Sequence, residues 1–139
     1  RCIVPMFGYY TWQSTWQGHR QPFFVRLVNR PVFGVAAVWD RTEAENGDDV
    51  IEGCALITVP PNPLLAELQG SNSEMPAILE RRDYAVWLTA APAVAKTVLK
   101  PLAQRHMIAH PVSPRINSFR YDDEHLIRPI GNICLPMSV

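Results

Sequence analysis

The chain has no CxxC pair, no clustered histidines, no apolar run of about 18 residues and almost no lysine. Each gap excludes something. Without such a run no helix crosses a bilayer, and the opening residues lack the pattern of a secretory leader. The three cysteines, Cys2, Cys54 and Cys134, are odd in number, far apart and set in apolar stretches. They read as reduced core thiols of a cytoplasmic protein. Burial should raise their pKa values and make native-state alkylation slow for all three. Four scattered histidines complete no ligand set, so neither a metal nor a cofactor is expected. With Lys96 and Lys100 the only lysines, basic charge is carried by arginine, whose planar fork suits phosphate and carboxylate alike.

Net charge is missing too. Thirteen basic residues balance thirteen acidic ones, which argues against strong nonspecific attraction to nucleic acid. The charges are uneven, however. Asp40, Glu43, Glu45, Asp48, Asp49 and Glu52 face the single Arg41 within Asp40–Glu52, leaving the remainder of the chain net positive. That segment reads as a solvated acidic loop with Asn46-Gly47 as its turn.

What is abundant is proline, 13 residues in 139. Each removes a backbone donor and discourages helix before it, so strands and turns are expected up to about residue 80. Hydrophobic residues at 47% and charged residues at 19% fit one globular domain over 1–139. Gly8–Trp12, Pro22–Val28 and Val32–Trp39 read as three strands joined by turns at Ser14–Arg20 and Asn29–Pro31, a pattern expected to fold as an antiparallel meander. Cys54–Val59 is continuously apolar and reads as a strand buried on both faces. Asn62 should cap a short helix with Pro63 at its first position and Leu64, Leu65 and Leu68 on one side. Gln69–Glu74 is a polar loop, and Pro76–Leu79 a short strand. Tyr84, Trp87 and Leu88 switch to helical spacing, and Pro92 opens another helix with Val94, Val98 and Leu102 on one face. Met107–Val112 returns to strand, and Leu126–Leu135 is expected to be extended. The fold class is therefore α+β, mostly antiparallel strands with two or three short helices.

Four segments, in order, carry a resemblance. Arg1-Cys-Ile-Val-Pro-Met-Phe-Gly-Tyr-Tyr-Thr-Trp12, followed by Gln21-Pro-Phe-Phe24, is similar to R-C-L-I-P-A-D-G-F-Y-E-W and Q-P-F/Y-F/A. Ala55-Leu-Ile-Thr-Val-Pro-Pro-Asn62 resembles A-I-I-T-T-x-A-N. Met75-Pro-Ala-Ile-Leu79 resembles the end of H-D-R-M-P-V-I-L, and His110-Pro-Val-Ser-Pro-Arg-Ile-Asn117 resembles H-P-V-S-x-x-V-N. A later Leu126-Ile-Arg-Pro-Ile130 is like L-I-x-P-I. These motifs belong to the SRAP family, the SOS-response-associated peptidases, and the resemblance starts partway into that family's domain. A mixed sheet or barrel of the SRAP kind is implied.

The resemblance also implies a chemistry. Family members crosslink themselves to abasic sites in single-stranded DNA through an amino-terminal cysteine. Its amine forms a Schiff base with the ring-opened sugar, and its thiol closes a thiazolidine. A Glu and a His of the family move protons, and an Arg meets phosphate. Carried over, that Glu falls on Thr11, the His on Asn72 and the Arg on Glu74. A threonine hydroxyl and an amide hydrogen-bond without titrating near neutrality, and Glu74 reverses a charge. Cys2 aligns with the interior R-C of the first motif and reads as a strand thiol, not the nucleophile. Trp12 is retained and, with Trp16, is a candidate to stack a base, although a tryptophan on an aromatic strand is more often part of the core. His110, Ser113 and Asn117 are further candidates for DNA contact, although backbone bonding is the ordinary role of such a His and turn-making that of Ser113 and Asn117. Thr11 and Asn72 should converge beside one concave surface.

The expected function is SRAP-like binding of single-stranded DNA, abasic or junction, in a bacterial or phage cytoplasm, with crosslinking or peptidase activity degenerate. Two rival readings remain. One is a noncatalytic protein-interaction module on the same fold. The other is an active crosslinker whose amino-terminal Met-Cys segment lies outside this sequence.

Overall fold

β-Branched and aromatic residues crowd the first half of the chain while prolines interrupt it at short intervals, so its strands are short. The computed structural model describes residues 1–14, 20–43 and 50–132. Its strands are β1 (Cys2–Met6), β2 (Tyr9–Ser14), β3 (Arg20–Leu27), β4 (Phe33–Glu43), β5 (Val50–Leu56), β6 (Thr58–Val59), β7 (Met75–Pro76), β8 (Ile78–Leu79) and β9 (Met107–Pro111). The helices are α1 (Pro63–Gln69), α2 (Tyr84–Thr89) and α3 (Pro92–Ala95), supplemented by single 3₁₀ turns. Every strand pairing among the described residues is antiparallel. The fold is α+β with three short helices.

The residues group into two compact units that interleave in sequence. The first comprises Arg1–Met6, Phe33–Pro60 and Glu74–Leu102. Its main sheet runs β1-β4-β5, with β8 also paired to β4. Gly34 opposes Pro5 and Leu79 across that sheet. A Cβ there would come within 2.5 Å of Ile3 and 2.6 Å of the Tyr84 hydroxyl, so a larger residue would displace the Ile3 and Tyr84 side chains packed over it. Trp87 of α2 is 3% exposed and donates its indole N–H to the Cys2 carbonyl at 2.7 Å. Phe33, Val35, Ala36 and Ala37 of β4 are buried with it.

The second unit comprises Phe7–Val32, Pro61–Ser73 and the chain from Ala103 onward. Its sheet is β2-β3-β9. Asn62 accepts from the Leu65 N–H at 3.1 Å and caps α1, with Pro63 inside the first turn and Leu64, Leu65 and Leu68 buried. Gly70 ends the helix at φ 95°, a backbone conformation that glycine adopts without strain.

Several sequence expectations need correction. Only β2 and β3 form the hairpin of a meander. β4 instead lies between β1 and β5, because Gly34, Ala36 and Ala37 leave room for neighbours that sequence adjacency does not reveal. At its described ends the acidic segment is a ladder rather than a loop: Arg41 pairs with Glu52 and Thr42 with Ile51. Its Asn46-Gly47 turn lies outside the described residues, as do Trp16, His19 and Cys134. The apolar run from Cys54 is not buried on both faces. Every residue of β5 is exposed and only Val59 beyond it is buried, because β5 ends its sheet. Leu88 and Val94 face solvent although Trp87, Val98 and Leu102 do not. Of the expected extended stretch Leu126–Leu135, Leu126 and Ile127 belong to a 3₁₀ turn, Glu124–Ile127, residues 128–132 form no strand, and 133–135 lie outside the described residues.

The thiol expectation changes accordingly. Cys54 is exposed, and its sulfur lies 3.7 Å from that of Cys2. Burial and then the adjoining Cys54 thiol raise the Cys2 pKa above its ordinary value, which lowers its thiolate fraction. Timed alkylation of the native protein should therefore label Cys54 well ahead of Cys2. Peptide mapping by mass spectrometry checks this, and equal protection of both thiols would contradict it.

Candidate nucleic-acid interface

Successive residues of a strand point to opposite faces of its sheet. In β2-β3-β9 the register places Tyr10, Phe24 and His110 in one cross-strand row and Thr11, Phe23 and Pro111 in the next. Thr11 thus belongs to one face, Trp12 and His110 to the other.

The Thr11 face lies under α1. Thr11 is 3% exposed, and its hydroxyl accepts a hydrogen bond from the Gln69 side-chain amide at the helix end. Asn62 reaches the Met107 sulfur at 2.9 Å on this same face. The Tyr9 hydroxyl and Gln69 Oε1 are buried without a hydrogen-bond partner among the described residues. Burial alone pushes the Tyr9 pKa up, so the phenol stays neutral. None of Thr11, Asn62, Gln69 and Met107 carries an ionisable group. Asn72 sits three residues past Gln69, exposed, in the turn after α1. The partner of Thr11 is therefore Gln69, which the sequence reading missed. Its signal was available, since a helix capped at Asn62 must end near Gly70.

The opposite face is aromatic and carries arginine. The Trp12 indole N–H donates to Asn117 Oδ1 at 2.9 Å, and the Arg20 guanidinium lies 5.8 Å from the Trp12 ring centre. Tyr10 and Phe24 rings are 5.4 Å apart, and Phe24 and His110 rings 5.8 Å. Burial, then the Asp122 carboxylate, raises the Tyr10 pKa. His110 is 4% exposed. Its Nε2 bonds the Ile127 carbonyl at 2.8 Å, so Nε2 carries the proton, while Nδ1 is buried without a partner among the described residues. Ser113 accepts from the Arg115 N–H at 3.3 Å and caps the 3₁₀ turn Pro114–Asn117. Beyond that turn Phe119 is fully exposed, and Arg115 lies 4.0 Å over the Tyr121 ring while pairing with Asp123 at 3.4 Å. Arg20, Phe119 and Tyr121 were not picked from sequence.

The structure thus joins Trp12 to Asn117 and keeps both on the sheet face opposite Thr11. Glu74 belongs to the other unit, where it is exposed and accepts from the Thr58 hydroxyl at 2.6 Å. No three His, Cys, Asp or Glu side chains among the described residues gather as metal ligands. No helix among them is long and apolar enough to cross a membrane.

A family model described as SOS response associated peptidase (SRAP) matches residues 1–119. The chain is 25% identical to the abasic site processing protein YoaM of Bacillus subtilis, over 91% of this chain and 56% of the relative. It is 27% identical to the abasic site processing protein HMCES of Gallus gallus, over 94% of this chain and 44% of that one. A crystal structure of a Bacteroides thetaiotaomicron protein superposes with a TM-score of 0.84 at 24% identity, covering 92% of this chain and 56% of the other. One from Bordetella bronchiseptica gives 0.68 at 24% identity, covering 81% and 54%. These two likenesses show the fold. The chain spans about half the length of the relatives it matches.

Proposed function

The chain belongs to the SOS response associated peptidase (SRAP) family, and on that premise we propose that it grips single-stranded DNA, abasic or at a junction, without crosslinking to it. The observation that carries this reading is the Trp12 indole, pinned by Asn117 and flanked by the Arg20 guanidinium. A ring fixed at its polar edge offers a base its π-face, and a cation beside it meets phosphate. Ser113 shapes the turn that presents Asn117. His110 braces the sheet through Ile127. The abasic site processing names of two relatives support DNA damage as the setting.

The absence of crosslinking rests on Thr11 and Asn72. At the position of the family's proton-carrying Glu, a hydroxyl is committed to the Gln69 amide and cannot relay a proton near neutrality. Asn72 substitutes an amide for an imidazole. Cys2 lies inside β1 with its pKa raised, the reverse of what a nucleophile needs.

Glu74 provides the test. An exposed charge pair retains only about 1 kcal/mol or less, so Glu74→Arg should tighten binding about two- to five-fold and steepen the salt dependence. Fluorescence anisotropy with intact and abasic oligonucleotides at low and high salt measures both effects. Denaturing gels of the same mixtures should show no covalent adduct from the unaltered chain. A retained adduct on abasic DNA would overturn the no-crosslink half. Unchanged weak binding at low salt would favour the rival interaction module.

A further inference from the structure

Two thiols of the first unit touch although the strands that carry them do not pair. Cys2 lies in β1 and Cys54 in β5, and β4 runs between. Cys2 opposes Ala37, and Cys54 opposes Trp39. Residues opposed in register share a face of the sheet, as do residues two apart on one strand. All four side chains therefore stand on one face. Ala37 is the smallest of them, and its methyl group leaves room for the cysteines to lean across β4 until their sulfurs are 3.7 Å apart. The Trp87 indole, bonded to the Cys2 carbonyl at 2.7 Å, fixes one end of the pair. Either thiol can donate to the other. Burial and then the Cys54 thiol raise the Cys2 pKa, so the pair keeps its protons until something displaces them.

A disulfide and a shared metal ion are the two bonds such a pair can make, and strand spacing separates them. A disulfide needs its Cα atoms about 4.4–6.8 Å apart. Cysteines on either side of an intervening strand are about 9–10 Å apart in a flat sheet, so closing one would drag β1 and β5 together through β4. A bridging ion needs no such movement. Metal–thiolate bonds are about 2.3 Å for zinc, so one ion of that size joins sulfurs up to about 4.6 Å apart. The ligand count then selects the ion. No third His, Cys, Asp or Glu among the described residues joins the pair, which leaves the four-ligand shell of a structural zinc incomplete. Soft thiolates favour copper(I), a cation that two sulfurs satisfy.

We propose that Cys2 and Cys54 form a two-thiolate site for a soft monovalent cation, copper(I). Two copper–sulfur bonds form, the two thiol protons pass to water, and no electron changes hands. Both ligands belong to one sheet of one unit, so the site requires neither an open surface nor a second polypeptide. It is independent of the DNA-binding reading.

The test uses copper(I) itself, handled without oxygen and competed against the chromophoric chelator bathocuproine disulfonate. Cys134→Ser serves as the parent, so that Cys2 and Cys54 are the thiols present. The parent should hold one ion per chain. Losing a group that merely orients a ligand costs about 10–100-fold in metal affinity, so Cys2→Ser and Cys54→Ser should each weaken binding at least about ten-fold, with circular dichroism as the control for folding. Release of two protons should make the affinity climb about 100-fold per pH unit below the thiol pKa. Copper(I) should also block alkylation of both cysteines in the parent, a readout that needs no further variant. X-ray absorption should find two sulfur neighbours. The proposal is overturned if no ion binds, if either serine variant keeps full affinity, or if either cysteine is alkylated at its copper-free rate. Three or more sulfur neighbours, the mark of copper shared between chains, overturns it as well.

Discussion

Replacing Trp12 by alanine should weaken single-stranded DNA binding by about 1–3 kcal/mol, or roughly five- to 150-fold, the usual loss of one base-stacking ring. The indole is only partly buried, so its removal should leave the melting transition nearly unchanged. Two further variants separate its contributions. Trp12→Phe keeps a π-face and loses the N–H that bonds Asn117 at 2.9 Å. Asn117→Ala keeps the indole and removes its tether. Each should cost less than Trp12→Ala, and the two losses should not add, because they break one interaction from either end. Anisotropy titrations at fixed salt, with melting curves as controls, provide the comparison. Full affinity in Trp12→Ala would remove the aromatic face from the DNA path.

Trp87→Ala should destabilise the protein by about 3–5 kcal/mol, the range for a buried indole truncated to a methyl group. Three features put it at the upper end. The ring is 3% exposed, its N–H satisfies the Cys2 carbonyl at 2.7 Å, and the Arg1 guanidinium lies 5.6 Å from its ring centre. Truncation leaves a cavity and a carbonyl stripped of its donor. Since whole domains hold only about 5–15 kcal/mol, the variant should be largely unfolded when warmed or in dilute urea. Urea titration followed by far-ultraviolet circular dichroism measures the change. A loss below about 1 kcal/mol would mean that α2 contributes little to its unit.

Local signals were the most legible part of the chain. Asn62, Pro63 and the Leu64, Leu65, Leu68 spacing marked the start and buried side of α1, because capping and helical period are written in neighbours, although Gln69, read as loop, is its last residue. Pairing was not legible. Nothing near Phe33–Glu43 says that β4 sits between β1 and β5, since such contacts join residues far apart in sequence. The exposure of β5 was hidden for a related reason: an apolar run looks the same whether its edge is covered or open. At the site, the motif order pointed to Trp12 and Asn117, which are 105 positions apart and touch. It did not reveal that Thr11 and Trp12 serve different faces. That was readable in principle, since adjacent strand residues always diverge. Gln69 and Arg20 escaped because neither lies in a retained motif position.

The divergence of Thr11 and Trp12 separates reactivity from grip. Under the proposed function, a substitution under α1 alters what the sheet could do to a sugar aldehyde without touching the indole proposed to hold a base. A substitution at Trp12 does the reverse. On that proposal two adjacent codons govern two independent traits, and a lineage could discard the covalent step while its hold on the strand stayed under selection. Reinstating a carboxylate by Thr11→Glu would start from a chain whose aromatic face is already in place.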